Sequence, residues 1–270
     1  MLARELGDDG VLTLTLDAPG RRNALDYATV RELLDALREA ESDPAARAVL
    51  LNAKGDVFSA GANLREFQRE IAGTATQFHD SGGVWEELFT YAPTMGTPIV
   101  VAVGGPARAG AVGLVALGDL VLASERADFA LSEIRIGLFP IMVLPMVMRV
   151  VGYRNAQDLA LTGRTLEVEE ARAMGLVTRV VAHDALEGEA REVASSLAAS
   201  APRAMAYGRR LIARLADLPY DQAVHHARTM RGAFLHTADL AEGIAAFLEK
   251  RSPAWPDPAA TRSTTQEDPS

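Results

Sequence analysis

The sequence contains no cysteine, which excludes thiol nucleophiles, disulfides and cysteine metal sites while leaving the compartment open. Histidine is sparse. Of the five, only His225 and His226 adjoin, in a stretch read as helical where neighbours point in different directions, so no metal centre is expected. Positive charge is short as well: 27 Lys and Arg stand against 36 Asp and Glu, a net charge of −9. A nucleic-acid surface is not expected, and any anionic ligand must meet a local basic cluster. No apolar run is long enough to span a bilayer, and the opening "MLARELGDDG" has no secretory apolar core. These absences predict a soluble, cytoplasmic protein with neither a membrane nor a nucleic-acid partner. Rarest of the charged residues is lysine, present only as Lys54 and Lys250.

What is present suits one medium α/β domain: 270 residues, 49% of them hydrophobic, suffice for a single large core with an appendage. In "VLTLTLD" (11–17), Val11, Thr13 and Thr15 alternate with Leu12, Leu14 and Leu16, which suits a strand with both faces covered or a hairpin partner to residues 2–6. Asp26 reads as an N-cap to a helix whose stripe is Val30, Leu33, Leu34 and Leu37. The runs "RAVLLNA" (47–53), "PIVVAV" (98–103), "DLVLAS" (119–124) and "DFALS" (128–132) read as strands, the first two as buried parallel ones. Strands spaced by helices imply crossover units and a layered core. From residue 153 the pattern turns helical, with four successive helices after residue 185 and one late strand in "GLVTRVVA" (175–182). The tail 252–270, rich in Pro, Ser and Thr, is expected to be disordered.

Three segments carry more than general pattern: "AKGDVFSAGANL" (53–64), "GGPARAGAVGLVALGDLVLAS" (104–124) and "ADFALSEIRIGLFP" (127–140). A single glycine turn ordinarily only reverses the chain. In this order and spacing, with "RRNAL" (21–25), "LTGRTLEVEEARAMGLVTRVV" (161–181) and "EGIAAFLEKRSP" (242–253), they resemble the crotonase superfamily, the enoyl-CoA hydratase and isomerase enzymes, over roughly residues 2–251. The resemblance implies an α/β crotonase-like spiral core over 1–200 that binds acyl-CoA, and a helical region over 201–251 that makes homotrimers or homohexamers. It also implies two backbone N–H groups aimed at the thioester oxygen, by matching position those of Ala60 and Gly110. Such donors stabilise an enolate without a charged side chain. Coenzyme A is expected only as part of the substrate, with no metal or redox cofactor. Its contacts are implied to be Arg22, Lys54, Phe247 and Lys250, the last two in a final helix that reaches a neighbouring subunit's ligand. An arginine-biased composition would also explain why lysine is rare.

The catalytic groups depart from the pattern. Hydratases of this family use two glutamates around a water. The first position corresponds to Gly113, which has no carboxylate; the second corresponds to Glu133, set among apolar residues where burial would raise its pKa and make it a better base. The segment after "GLFP" is the bulky, apolar "IMVLPMVM" (141–148), and Asn63 stands where an Asp is common. One carboxylate fits double-bond isomerisation of an enoyl-CoA with Glu133 as acid and base. Hydration with a single Glu is the close alternative, and a non-catalytic acyl-CoA-binding scaffold is the third.

Overall fold

The computed structural model describes residues 1–71 and 75–256. In chain order its elements are β1 (Leu2–Leu6), β2 (Val11–Leu16), α1 (Tyr27–Ser42), β3 (Ala48–Ala53), α2 (Leu64–Ile71), α3 (Ala75–Tyr91), β4 (Ile99–Val103), β5 (Ala107–Arg108), α4 (Gly110–Ala116), β6 (Leu120–Ser124) and β7 (Asp128–Ala130). There follow α5 (Leu144–Val151), α6 (Tyr153–Thr162), β8 (Leu166–Glu167), α7 (Val168–Met174), β9 (Arg179–Val181), α8 (Leu186–Ala198), α9 (Pro202–Leu215), α10 (Tyr220–Leu235) and α11 (Ala238–Glu249).

The main sheet runs β1-β2-β3-β4-β6-β9, parallel throughout except for the β1–β2 hairpin. A small second sheet, β5-β7-β8, sits beside it in the chain's spiral. Strand alternation assigns each face of the main sheet a different cover. Leu14, Val49, Leu51, Val101 and Val121 point into one core with α1, α3 and α4. Val11, Leu50, Val100 and Leu122 point to the other side, where α8 lays down Leu186, Ala190, Ala194 and Ala198 at four-residue intervals. Three alanines in that stripe let the helix lie close to the strands.

Asp26 caps α1 as expected, its carboxylate accepting the Thr29 N–H at 2.9 Å. The late strand is shorter than its apolar run. Gly175, at φ +90°, ends α7, and residues 176–178 turn before β9, so only Arg179–Val181 extend. The pairing nevertheless begins early, because Thr178 N–H donates to Val121 C=O and Val121 N–H to the Thr178 hydroxyl. The two-residue strand β8 carries no alternation for a sequence to show.

The last three helices are joined to the core by charge more than by apolar burial. Arg209 on α9 is 9% exposed and donates to the Asp119 carboxylate at 2.7 Å and to the carbonyls of Ala92 and Met95. Asp119 also accepts the Ile99 N–H, which ties α9 to the start of β4. Arg203 and Asp239 join α9 to α11 at 2.7 Å. On α11, Leu240, Ile244, Phe247 and Leu248 form an exposed apolar face. Of the tail, residues 252–256 fold back over α11, where Ala254 N–H meets Glu242 and the Trp255 indole donates to Ala199 C=O at 2.8 Å. Residues 257–270 lie outside the described residues.

Candidate active site

Three loops converge beside α3. The first, residues 17–25, is fixed by Asn23, which is fully buried and held at φ 51°. Its side chain accepts Ala18 N–H and donates to Lys54 C=O and Val57 C=O, binding the "RRNAL" turn to the turn after β3. Ser59 is next, also fully buried: its hydroxyl donates to Asn23 C=O and accepts Gly61 N–H. The second loop is sewn to the third through Ser59 N–H on Pro106 C=O and Arg108 N–H on Ser59 C=O. Neither Asn23 nor Ser59 is prominent in the sequence, because a buried polar scaffold looks like any turn residue. Asn23→Ala leaves a buried N–H and two carbonyls without partners, so a loss of about 2–4 kcal/mol is expected in denaturant titration.

Backbone conformation at two positions shapes the turns. Gly61 has φ +85°, and a Cβ there would lie 2.5 Å from Arg108 C=O, so only glycine fits. Ala109 is held at φ 51°, ψ −123°, a strained conformation of the kind found at functional sites. It turns the chain from β5 into α4. As a result Gly110 N–H, the first of α4, has no acceptor among the described residues.

The expected partner donor requires correction. Ala60 lines the site, but its N–H is taken by Arg22 C=O at 2.9 Å. The free donor of that turn is Ala62. Around the parallel bridge between Leu25 and Ala62, Gly61 C=O accepts Leu25 N–H and Asn63 N–H donates to Leu25 C=O, so Ala62 N–H faces the other way and has no acceptor among the described residues. It lies 3.8 Å from where a Cβ on Gly110 would sit. Two unbonded N–H groups from two loops thus border one cavity.

That cavity, ≈ 480 Å³, is mostly apolar, with Leu25, Trp85, Phe139 and Val143 in its wall. Glu133 lies in it, on the single helical turn Ser132–Ile136. The residue is 8% exposed, and its buried Oε2 has no hydrogen-bond partner. Burial pushes its carboxyl above the ordinary value of 4.5, opposed only by a hydrogen bond from its own backbone. Such a group can hold a proton and give it up within the operating range of an enzyme. At Gly113, which the resemblance matched to a second carboxylate, no side chain fits: a Cβ there would meet Val143 Cγ1 at 2.6 Å and Phe89 Cζ at 2.7 Å. The bulky segment after residue 140 therefore takes the space that Gly113 leaves. Among the described residues no group of three or more His, Asp or Glu side chains converges as metal ligands would.

The other expected ligand contacts do not line this cavity. Arg22 and Lys54 are exposed on the two turns that Asn23 joins, and Lys54 Nζ rests on Asp17 at 2.6 Å. Phe247, 83% exposed, and Lys250 lie at the end of α11 and are not brought to the site within this chain. No helix among the described residues is long and apolar enough to cross a membrane.

Comparison with known proteins agrees with this geometry. The family model described as Enoyl-CoA hydratase/isomerase matches residues 7–258. A Thermus thermophilus protein named as an enoyl-CoA hydratase is 37% identical over 245 residues, covering 91% of this chain and 97% of the relative. The carnitinyl-CoA dehydratase of Citrobacter koseri is 31% identical over 256 residues, covering 91% and 94%. Among solved structures, the enoyl-CoA hydratase of Mycobacterium smegmatis superposes with a TM-score of 0.88 at 33% identity, covering 94% of this chain and 98% of that one. The spiral α/β fold, the paired turns and a match over nearly the whole length place this chain in the enoyl-CoA hydratase/isomerase family.

Proposed function

We propose that the protein is an enoyl-CoA isomerase that shifts a double bond from the 3,4 to the 2,3 position, with Glu133 as its one acid and base. The observation that carries this reading is Glu133, the one buried carboxylate of the three that line the cavity with Glu66 and Glu86, unpartnered at Oε2, while Gly113 is packed against Val143 and Phe89 and has no room for a side chain. The thioester oxygen accepts hydrogen bonds from Ala62 and Gly110. Glu133 takes a proton from the α-carbon, and the freed electron pair forms the C1–C2 double bond of a dienolate that keeps its 3,4 double bond and whose charge rests on that oxygen; the 2,3 double bond forms when the γ-carbon is protonated. The same carboxyl then returns the proton to the γ-carbon as the thioester carbonyl re-forms. No water enters the balance, which suits the apolar wall.

Arg22 and Lys54 hold the nucleotide end of coenzyme A on this reading, with Phe247 and Lys250 supplied by a neighbouring copy in a trimer or hexamer. The exposed apolar face of α11 supports that assembly, because such a face ordinarily has a partner. Hydration of a 2-enoyl-CoA by Glu133 alone is the second reading, favoured by the hydratase and dehydratase names of the relatives.

Purified protein given 3-enoyl-CoA and 2-enoyl-CoA separately decides between them. Migration to the 2-enoyl product faster than water addition is the expected result. Rapid hydration of 2-enoyl-CoA that Glu133→Gln abolishes would assign the hydratase instead, and tight binding of both thioesters with no turnover would leave a scaffold. Gly113→Glu is not expected to install hydration. With Val143 and Phe89 already in place, the inserted side chain overpacks the wall, costing about 1–3 kcal/mol in chemical denaturation without raising the rate of water addition.

A further inference from the structure

We infer that the acyl chain continues past the reaction cavity into a second one, so that the substrates are thioesters of medium- to long-chain acyl groups. The inference rests on the acyl-CoA reading above and adds the length and character of the acyl part. The second cavity, ≈ 660 Å³, lies between the end of α3, the start of α5, and α9. Glu86 and Met142 line both cavities, so these two side chains stand in the partition.

The segment singled out by its bulk is that partition. Ile141, Met142 and Val143 face the reaction side; Met142, Pro145 and Met146 face the far side. Phe89 completes the wall, lining the far cavity while its ring reaches Gly113. The absence of a side chain at Gly113 thus lets an apolar ring pack there. Met142 is unbranched, has three rotatable bonds and is 44% exposed. Its rotation opens the partition without moving the backbone.

The far cavity suits hydrocarbon on its inner side, where Phe89, Pro93, Met146 and Ala213 lie. Of its charged lining, Arg149 pairs with Asp217 at 2.5 Å and Arg210 with Glu41, while Arg214 and the exposed Glu86 have no ion pair among the described residues and can turn to solvent. A short acyl group would end in the reaction cavity and leave the second space to water.

Calorimetric titration with saturated, unreactive acyl-CoA thioesters tests this independently of turnover. Affinity is expected to rise at least ~10-fold from butanoyl-CoA to dodecanoyl-CoA, since each methylene removed from water strengthens binding. Ala213→Trp fills the far cavity from α9 and is expected to bring dodecanoyl-CoA down to the butanoyl-CoA affinity. Equal affinity for all lengths in the unaltered protein overturns the inference, and that arm needs no variant to fold. So does a length dependence that survives in Ala213→Trp, which would route the chain elsewhere. Failure to bind butanoyl-CoA at all overturns the acyl-CoA reading and this inference with it, whereas butanoyl-CoA binding with no gain from length removes only the inference.

Discussion

Glu133→Gln is expected to lower kcat by about 10²–10⁴-fold with a smaller change in KM, because it keeps the side chain's shape and removes the proton acceptor. The same exchange should make the protein more stable at neutral pH. The Glu133 carboxyl is raised above 4.5 in the folded chain by burial. Its contribution to stability is therefore complete below the unfolded value and lost as pH rises through the folded one. Once ionised, the native side chain is a carboxylate in an apolar cavity with one oxygen unbonded; glutamine carries no charge there. Thermal melting should show Glu133→Gln higher by about 2–4 °C at pH 7, with the gap closing as pH falls toward 4.5. The acid limb of kcat/KM in the native enzyme should lie above the ordinary carboxylate range for the same reason. Turnover that survives in the variant would mean that another group moves the proton. Lower activity with no pH-dependent difference in melting would mean that burial does not tune this carboxyl.

The sequence and the structure agree where local pattern and tertiary packing demand the same residues. The Asp26 cap and the runs that became β3, β4 and β6 could be read directly, since both sheet faces are covered and each strand shows it in composition, whereas the pairing of β2 with β1 was one of two readings its alternation allowed. Glu133 could be found only through the family resemblance, because a single Glu in a sequence is ordinarily a surface residue. Ala62 could not. "Ala-Gly-Ala" is symmetric about Gly61, so residue type alone does not say which alanine offers its N–H; that depends on Gly61 turning left-handed and on a single bridge to Leu25. Asn23 and Ser59 were hidden for a related reason, as their role lies in hydrogen bonds to backbone more than 30 residues away. The partition at Met142 was visible as bulk, but its two sides exist only once α9 has folded against the core.

The choice between the two alanines can be tested where side-chain substitution is silent. Placing an α-hydroxy acid at position 62 replaces the backbone N–H with an ester oxygen and leaves the methyl group in place. It removes one of the two donors to the developing oxyanion, so kcat is expected to fall at least ~10²-fold while the fold is retained, because Ala62 N–H bonds to nothing among the described residues. The same exchange at position 60 should behave in the opposite way. It deletes the hydrogen bond to Arg22 C=O, costing about 0.5–1.5 kcal/mol of stability, yet leaves the oxyanion donors untouched. Melting temperature and kcat measured on both esters therefore give a crossed result: rate lost and stability kept at 62, stability lost and rate largely kept at 60. If the ester at 60 is the slow one, the thioester oxygen is held by Ala60 after a rearrangement that breaks its bond to Arg22. If neither ester slows the reaction, Gly110 and other groups stabilise the charge without this turn.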